Sequence, residues 1–379
     1  MEGGVERHVL NLSRKLIQLG NEVEVFTCSG TRNGGTLENF SVVDGIPVHR
    51  YASIANLGEF GKVWPSFSVE LFRGRYDVIH AHSFRHPHTD ISLLVSKLSG
   101  SASALTAHSP FHPDYVRVSL ARALVPVYDD LVAPVTLRSF DLIVSLTTSE
   151  AKVLEEMGAS RNRTVVIPHG IEEVHFIKGD PSRFVSKYAL EGRSIILCLA
   201  RTNRTKGLHF LLEAFARIAP RLPEASLVIA GPSTSQQETE FIGELIRLSR
   251  SLHVSDRVLF TGKLSDEEKV AAYEACSLFV LPSVYEPYGI VLLEAAAHGK
   301  PLVSTRTVGP GSIVSEGVNG SLVDPGDPEQ LAGALLRIMT DERLRERMGE
   351  QARLMSREYT WERVARATEY SYHRITEGR

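Results

Sequence analysis

Leu278-Phe-Val-Leu-Pro-Ser-Val-Tyr-Glu-Pro-Tyr-Gly-Ile-Val-Leu-Leu-Glu294 is the stretch on which the reading of this chain turns. The apolar run 278–281 reads as a strand and the stretch from Ile290 onward as a helix, because Pro287 and Gly289 cannot both sit inside a regular helix. Glu286 then lies in the loop and Glu294 about one turn into the helix. Two carboxylates flank a helix N-terminus. Free backbone N–H groups there, at Gly289, Ile290 and Val291, attract an anion, while the carboxylates accept hydrogen bonds from neutral hydroxyls. Phosphate and polyol recognition together suggest a nucleotide sugar. The spacing alone proves little, since a loop Glu plus a solvated helix Glu gives the same pattern.

Outward from this stretch the chain alternates. Apolar residues from Val5 to Leu19 fall at helical spacing and stop at Gly20. Short apolar or β-branched runs at 22–27, 47–51, 78–82, 104–107, 142–146 and 165–168 read as strands, mostly separated by helical stretches. A second alternation places strands at 194–199, 226–230, 258–261, 278–281, 301–305 and 321–323, and helices at 208–219, 239–252, 266–275 and 291–298. The polar segment 178–193 between them reads as a linker. The expected fold is α/β, with two tandem Rossmann-like, doubly wound domains facing a cleft.

Composition supports a globular chain. Its 379 residues suffice for two cores, 43% hydrophobic content is ordinary, and a formal net charge of −3 gives no bulk attraction to nucleic acid. No run of 18 or more apolar residues suggests a membrane span, and the polar, Gly-rich start Met-Glu-Gly-Gly-Val-Glu-Arg-His is unlike a signal peptide. Cys28, Cys198 and Cys276 lack metal-type spacing and read as buried free thiols, so a reducing, cytoplasmic location is expected.

Three further segments carry chemistry. The loop Ala200-Arg-Thr-Asn-Arg-Thr-Lys-Gly207 sets Arg201 and Lys206 between a strand's carboxyl end and a helix start, where a diphosphate is well placed; a solvated basic loop is the plainer account. Gly3-Gly4 ahead of the first helix lets a backbone approach a ligand, or is simply a flexible terminus. His80, His82, His86, His88, His108 and His112 are concentrated in the N-terminal half, but no Cys or acidic residue stands at metal spacing, so no metal is expected. His108 is the histidine best placed for hydrogen bonding or proton handling. A dehydrogenase is disfavoured because no Gly-x-Gly-x-x-Gly follows a strand with an acidic residue about twenty positions on.

With these pieces the chain resembles the retaining GT-B glycosyltransferases, in particular family 4 (group 1). The resemblance rests on Gly3-Gly4-Val5, Asp77-Val-Ile-His-Ala-His82, Thr106-Ala-His108, Val166-Ile-Pro-His-Gly170, Arg201 to Gly207, Phe260-Thr-Gly262, the Glu286 to Glu294 segment, Gly317 to Val323 with Pro325-Gly326, and Tyr359-Thr-Trp361. It implies a metal-independent transfer of a sugar, with retention, from a nucleotide-diphosphate sugar to a hydroxyl of a lipid or glycan acceptor in cell-envelope synthesis. It needs no cofactor and no nucleic acid. By the resemblance, residues 1–185 bind the acceptor, 190–360 bind the donor, and 361–379 form a helix that packs back on the first domain. Arg201 and Lys206 would bind the diphosphate, Glu294 the ribose, Glu286 the sugar hydroxyls, Gly289 to Val291 sugar and phosphate, and Leu264, in the loop after Gly262, the base. His108 and Gly4 would face the reacting centre, so His108, Arg201, Lys206 and Glu286 are the expected catalytic set.

Departures from the family are few. Only Met1 and Glu2 precede the double glycine, so the first strand of the N-terminal domain is expected to be missing, with the start assigned too late. Tyr288 stands where Phe is common, and 309–313 lacks an acidic residue often found there. Alternatives are a nucleotide-sugar-binding protein without transferase activity and a GT-B epimerase or phosphorylase. Val116, Arg117, Leu120, Arg122 and Leu124 form either a peripheral membrane contact at the inner face of the cytoplasmic membrane or a plain amphipathic core helix.

Overall fold

A computed structural model of the chain describes residues 4–30, 35–57, 61–108 and 119–377. Gly3, His112, Val116 and Arg117 lie outside the described residues, as do the side chains of Leu120, Arg122 and Leu124. The chain divides into two compact units, Met1–Gly170 with Trp361–Arg379, and Ile171–Thr360.

The first unit runs α1 (Gly4–Gln18), β1 (Val25–Cys28), β2 (Phe40–Val43), β3 (Ile46–Tyr51), β4 (Ala55–Asn56), β5 (Lys62–Val63), α2 (Phe67–Arg73), β6 (Val78–His82), α3 (Pro87–Ser99) and β7 (Ala102–Thr106). It continues with α4 (Ser119–Leu131), α5 (Ala133–Ser139), β8 (Leu142–Ser145), α6 (Thr148–Glu156) and β9 (Thr164–Val166). β6-β7-β8-β9 form one parallel sheet, β1-β3-β2 a second and β4-β5 a short ladder. Within the β1-β3-β2 sheet β1 and β3 pair parallel, while β2 and β3 pair antiparallel with Val43 opposite Ile46. Asp44 (φ 52°) and Gly45 (φ 82°) make that two-residue turn, and Asp-Gly is a sequence signal for it because both positions need a positive φ. Cys28 is only half-buried, unlike Cys198 and Cys276; all three are free thiols.

The second unit runs α7 (Ser182–Lys187), β10 (Ser194–Leu199), α8 (Leu208–Ile218), β11 (Ala225–Ala230), α9 (Gln236–Ser251), β12 (Val258–Gly262), α10 (Asp266–Ala275) and β13 (Leu278–Leu281). Then follow α11 (Ile290–Ala297), β14 (Leu302–Thr305), α12 (Pro310–Ile313), β15 (Gly320–Val323), α13 (Pro328–Thr340) and α14 (Glu342–Ser356). All six strands are parallel in the order β12-β11-β10-β13-β14-β15. Every residue of β11, β13 and β14 is buried, as continuous apolar runs must be when helices cover both faces. One face packs Ile196, Cys198, Leu227, Ile229 and Val280 against Leu208, Leu211, Leu212, Phe215 and Ile218 of α8 and Leu335 and Ile338 of α13. On the other face Phe279 meets the Tyr273 ring of α10. Truncating a core ring such as Phe215, fully buried, costs about 3–5 kcal/mol.

The division between units falls after Gly170, ahead of the expected linker at 178–193. Residues from Ile171 onward already belong to the second unit: the Ile171 N–H bonds the Tyr359 carbonyl, and α7 packs on α10. The final helix, α15 (Trp361–Thr376), returns to the first unit, where Trp361, Val364 and Ala365 pack with Leu12 and Leu16 of α1.

Candidate active site

In the order β12-β11-β10-β13-β14-β15 the crossovers reverse direction between β10 and β13, and loops leaving the carboxyl ends of those two strands line the crevice where ligands of such sheets bind. Those loops are 200–207 and 282–289. They are tied together: Val284 N–H bonds Thr205 O at 2.8 Å, and a Cβ on Gly207 (φ 64°) would stand 2.0 Å from the Pro282 carbonyl oxygen. The result joins residues 80 positions apart, Lys206 Nζ donating to Glu286 Oε2 at 2.7 Å, with Ser283 Oγ a further donor at 3.2 Å. Each expected ligand group already has the other as its partner.

Gly289 (φ 88°) is the N-cap of α11, a conformation that other residues rarely adopt, and it turns the chain so that Ile290 and Val291 open the helix. Glu294 follows within the second turn and is buried. It accepts from Lys269 Nζ (3.1 Å) and Tyr273 OH (2.7 Å), both on α10, and its Oε1 lies 3.6 Å from His175 Nε2. Burial by itself pushes this carboxyl up, but Lys269, His175 and the Tyr273 hydroxyl more than compensate and hold it down at about 2. Glu294 is thus ionised throughout the physiological range. Lys269, Tyr273 and His175 escaped the sequence reading, since nothing local links them to Glu294.

Arg201 lies in the same loop as Lys206 but points to α9, where Nη2 donates to Glu238 Oε1 (2.8 Å) and Thr234 Oγ1 (3.0 Å). Glu238 is 6% exposed and also accepts the Thr234 N–H and hydroxyl. Burial raises its pKa, and the Thr234 bonds and then Arg201 bring it below the usual carboxylate range. About half of the Arg201 side chain remains exposed, so its remaining N–H groups can meet a ligand. Leu264 is buried, and Gly262 (φ 71°) ends β12 beside it.

In the first unit, Gly4 is exposed at the start of α1. His108 has φ 55°, a strained value for a non-glycine residue, and its Nε2 lies 3.0 Å from His82 Nδ1. His8, His82 and His108 each bring one ring nitrogen within 4.8 Å of the others, a grouping that could hold a metal ion. His8 was not among the sequence candidates. It faces inward from α1 and meets His108 and Trp361 edge-on. Burial first, then neighbouring histidines, lowers the pKa of all three, His82 to about 3, so these are neutral imidazoles, each with one N–H donor and one lone-pair acceptor. His80 bonds Tyr372 OH and Thr106 Oγ1 instead.

Two family models match the chain on either side of residues 175–181, close to the structural division after Gly170. A model described as Glycosyltransferase Family 4 matches residues 2–174, and one described as Glycosyl transferases group 1 matches residues 182–355. The chain belongs to the group 1 glycosyltransferases. This transferase is 33% identical to the mannosylfructose-phosphate synthase of Agrobacterium fabrum over 60% of its own length and 52% of that enzyme's. It is 28% identical to the glycogen synthase of Mycobacterium tuberculosis over 98% of its own length and 91% of the relative's. In fold it is similar to Anabaena HepE, a structure solved with UDP and glucose, at a TM-score of 0.76 and 19% identity, covering 98% of this chain and 96% of that one. The α/β architecture is that of GT-B glycosyltransferases.

Proposed function

We propose that this glycosyltransferase takes its sugar from a nucleotide-diphosphate sugar held at the β10/β13 crevice of the second unit. Arg201 and Lys206 take the diphosphate, Glu294 the ribose hydroxyls, Glu286 the sugar hydroxyls, Leu264 the base side, and Gly289, Ile290 and Val291 supply backbone N–H groups. The first unit takes the acceptor, with Gly4 leaving room for close approach and His108, a neutral imidazole, handling a hydrogen bond or proton. The observation that carries this reading is the Lys206–Glu286 contact at the switch point, where a cation and a hydroxyl acceptor share one small volume. HepE, solved with UDP and glucose, makes uridine the first nucleotide to test.

Negative charge grows on the leaving diphosphate as the sugar–phosphate bond breaks. Fixed cations aimed at it stabilise the transition state more than the ground state, and losing one typically costs about 10²- to 10³-fold in rate. Arg201 and Lys206 fill that role without a divalent metal, and transfer proceeds with retention to a hydroxyl of a lipid or glycan acceptor of the cell envelope. We place the enzyme in the cytoplasm, with peripheral contact to the membrane through the first unit. Among the described residues no helix is long and apolar enough to cross a membrane. Turnover of UDP-, ADP- and GDP-sugars with lipid and glycan acceptors, with product stereochemistry read by NMR, tests the proposal; an inverted anomeric product would overturn retention.

A further inference from the structure

Behind Glu294 runs a buried chain of side chains that donor binding does not by itself require. Glu274 Oε1 accepts the Gly179 N–H (3.4 Å) and lies 2.8 Å from His298 Nδ1. His298 Nε2 lies 3.3 Å from His175 Nδ1, and His175 Nε2 stops 3.6 Å from Glu294 Oε1. Chemistry sets the direction of these contacts. A carboxylate only accepts, so His298 Nδ1 carries a proton; neutral His298 then has a lone pair at Nε2, which takes the Nδ1–H of His175. Neutral His175 is left with a lone pair at Nε2 facing a carboxylate, at a distance too long for a hydrogen bond. One added proton turns Nε2 into a charge-assisted donor to Glu294.

We propose that His175 is a positioning residue for Glu294, aimed by His298 and Glu274, and that its protonation at Nε2 strengthens the contact of that carboxylate with ribose. The proposal rests on the assignment of Glu294 to ribose. The groups facing His175 are Glu294 and His298 from the α11 segment, Lys269 and Tyr273 from α10, Glu274 through His298, and Glu172 from its own segment. Burial is the largest influence and lowers the His175 pKa; Glu294 and Glu172 oppose it, Lys269 and His298 add to it, and the net shift is downward. His175 is therefore neutral at mildly alkaline pH and gains its proton below the ordinary histidine value of 6.5, while Glu294 stays ionised. Acidification should tighten the ribose contact.

UDP, ADP and GDP are each compared with their 2′-deoxy counterparts by calorimetry on the full chain. Each pair shares base, phosphates and 3′-hydroxyl, so the affinity ratio isolates the 2′-hydroxyl, one of the two ribose hydroxyls assigned to Glu294. Between about pH 8 and about pH 5.5 the wild-type preference for the ribose form should grow roughly 2- to 10-fold, the worth of one hydrogen bond. It should stay flat in His175→Gln, and also in Glu274→Gln, whose amide can donate to His298 and so reverse the chain. General damage to the fold would weaken both nucleotides alike and leave the ratio unmoved. A ratio that still tracks pH in both variants overturns the proposal, as does a wild-type preference that ignores pH. A wild type that binds none of the three nucleotides removes the ribose assignment and the proposal with it, and one that binds ribose and 2′-deoxyribose forms equally removes the 2′-hydroxyl contact and so overturns the proposal.

Discussion

Replacing Glu286 with glutamine should tighten binding of a bare nucleoside diphosphate while slowing transfer from the intact donor. Glu286 Oε2 sits 2.7 Å from Lys206 Nζ, with 11% and 19% of the two side chains exposed, so the carboxylate occupies the cation that a diphosphate needs. A phosphate oxygen on the far side of Nζ would stand about 5 Å from that carboxylate, where like charges repel by about 1–3 kcal/mol at effective dielectric constants of about 20–80. Glu286→Gln removes the charge and keeps the shape, so UDP, ADP or GDP, whichever is the true nucleotide, should bind about 5- to 150-fold more tightly. The amide still reaches Ser283 Oγ and sugar hydroxyls, but without charge-assisted bonds to the sugar, so turnover falls. Calorimetry at physiological ionic strength measures the first effect and release of nucleotide from the sugar donor measures the second. An affinity that weakens, or changes by less than about twofold, would refute the reasoning that Glu286 competes for Lys206.

Arg201→Ala should cost nucleoside diphosphate binding about 10- to 100-fold, the loss of a hydrogen bond from a charged group, read as a smaller thermal shift across UDP, ADP and GDP. An unchanged ligand response removes Arg201 from the site. Gly207→Ala should lower Tm and abolish nucleotide-induced stabilisation, because the added Cβ would stand 2.0 Å from the Pro282 oxygen in a left-handed conformation; a fully stable variant would show that the two loops are not locked together. Trp361→Ala, removing a ring 3% exposed, should destabilise the first unit by about 3–5 kcal/mol and release α15 to limited proteolysis. Asp141 accepts the Ser103 N–H and hydroxyl and pairs with Lys97. Burial pushes its carboxyl up, but Ser103 and then Lys97 bring it down to about 2. Its folded value lies below the unfolded one of about 3.9, so this stabilisation is present above about pH 4 and lost as pH falls toward about 2. Asp141→Asn should therefore lower Tm at neutral pH and leave it unchanged near pH 2, and equal losses at both would contradict the assignment.

Much of the second unit was legible because its signals are local. Runs such as 195–199 and 278–281 are apolar throughout, which a strand buried on both faces requires, and α10 opens on a Ser265–Glu268 capping box. The first unit was harder to read. β2 carries exposed Phe40 and Val42, so burial does not mark it, and the Asp44-Gly45 turn that defines its hairpin went unread. Arg201, Lys206, Glu286 and Glu294 were visible as residue types beside strand ends and helix starts. Their partners were not, because Glu238, Lys269, Tyr273 and His175 reach them only through packing of separate helices.

By itself the sequence determined the αβ alternation, the family motifs and the placement of two carboxylates about a helix start, all of which follow from spacing within one or two elements. Only the tertiary structure decided which loops meet. Strand order is set by how whole helices cover both faces of the sheet, and that order puts β10 beside β13, Lys206 against Glu286, and a chain of two imidazoles and a carboxylate behind Glu294.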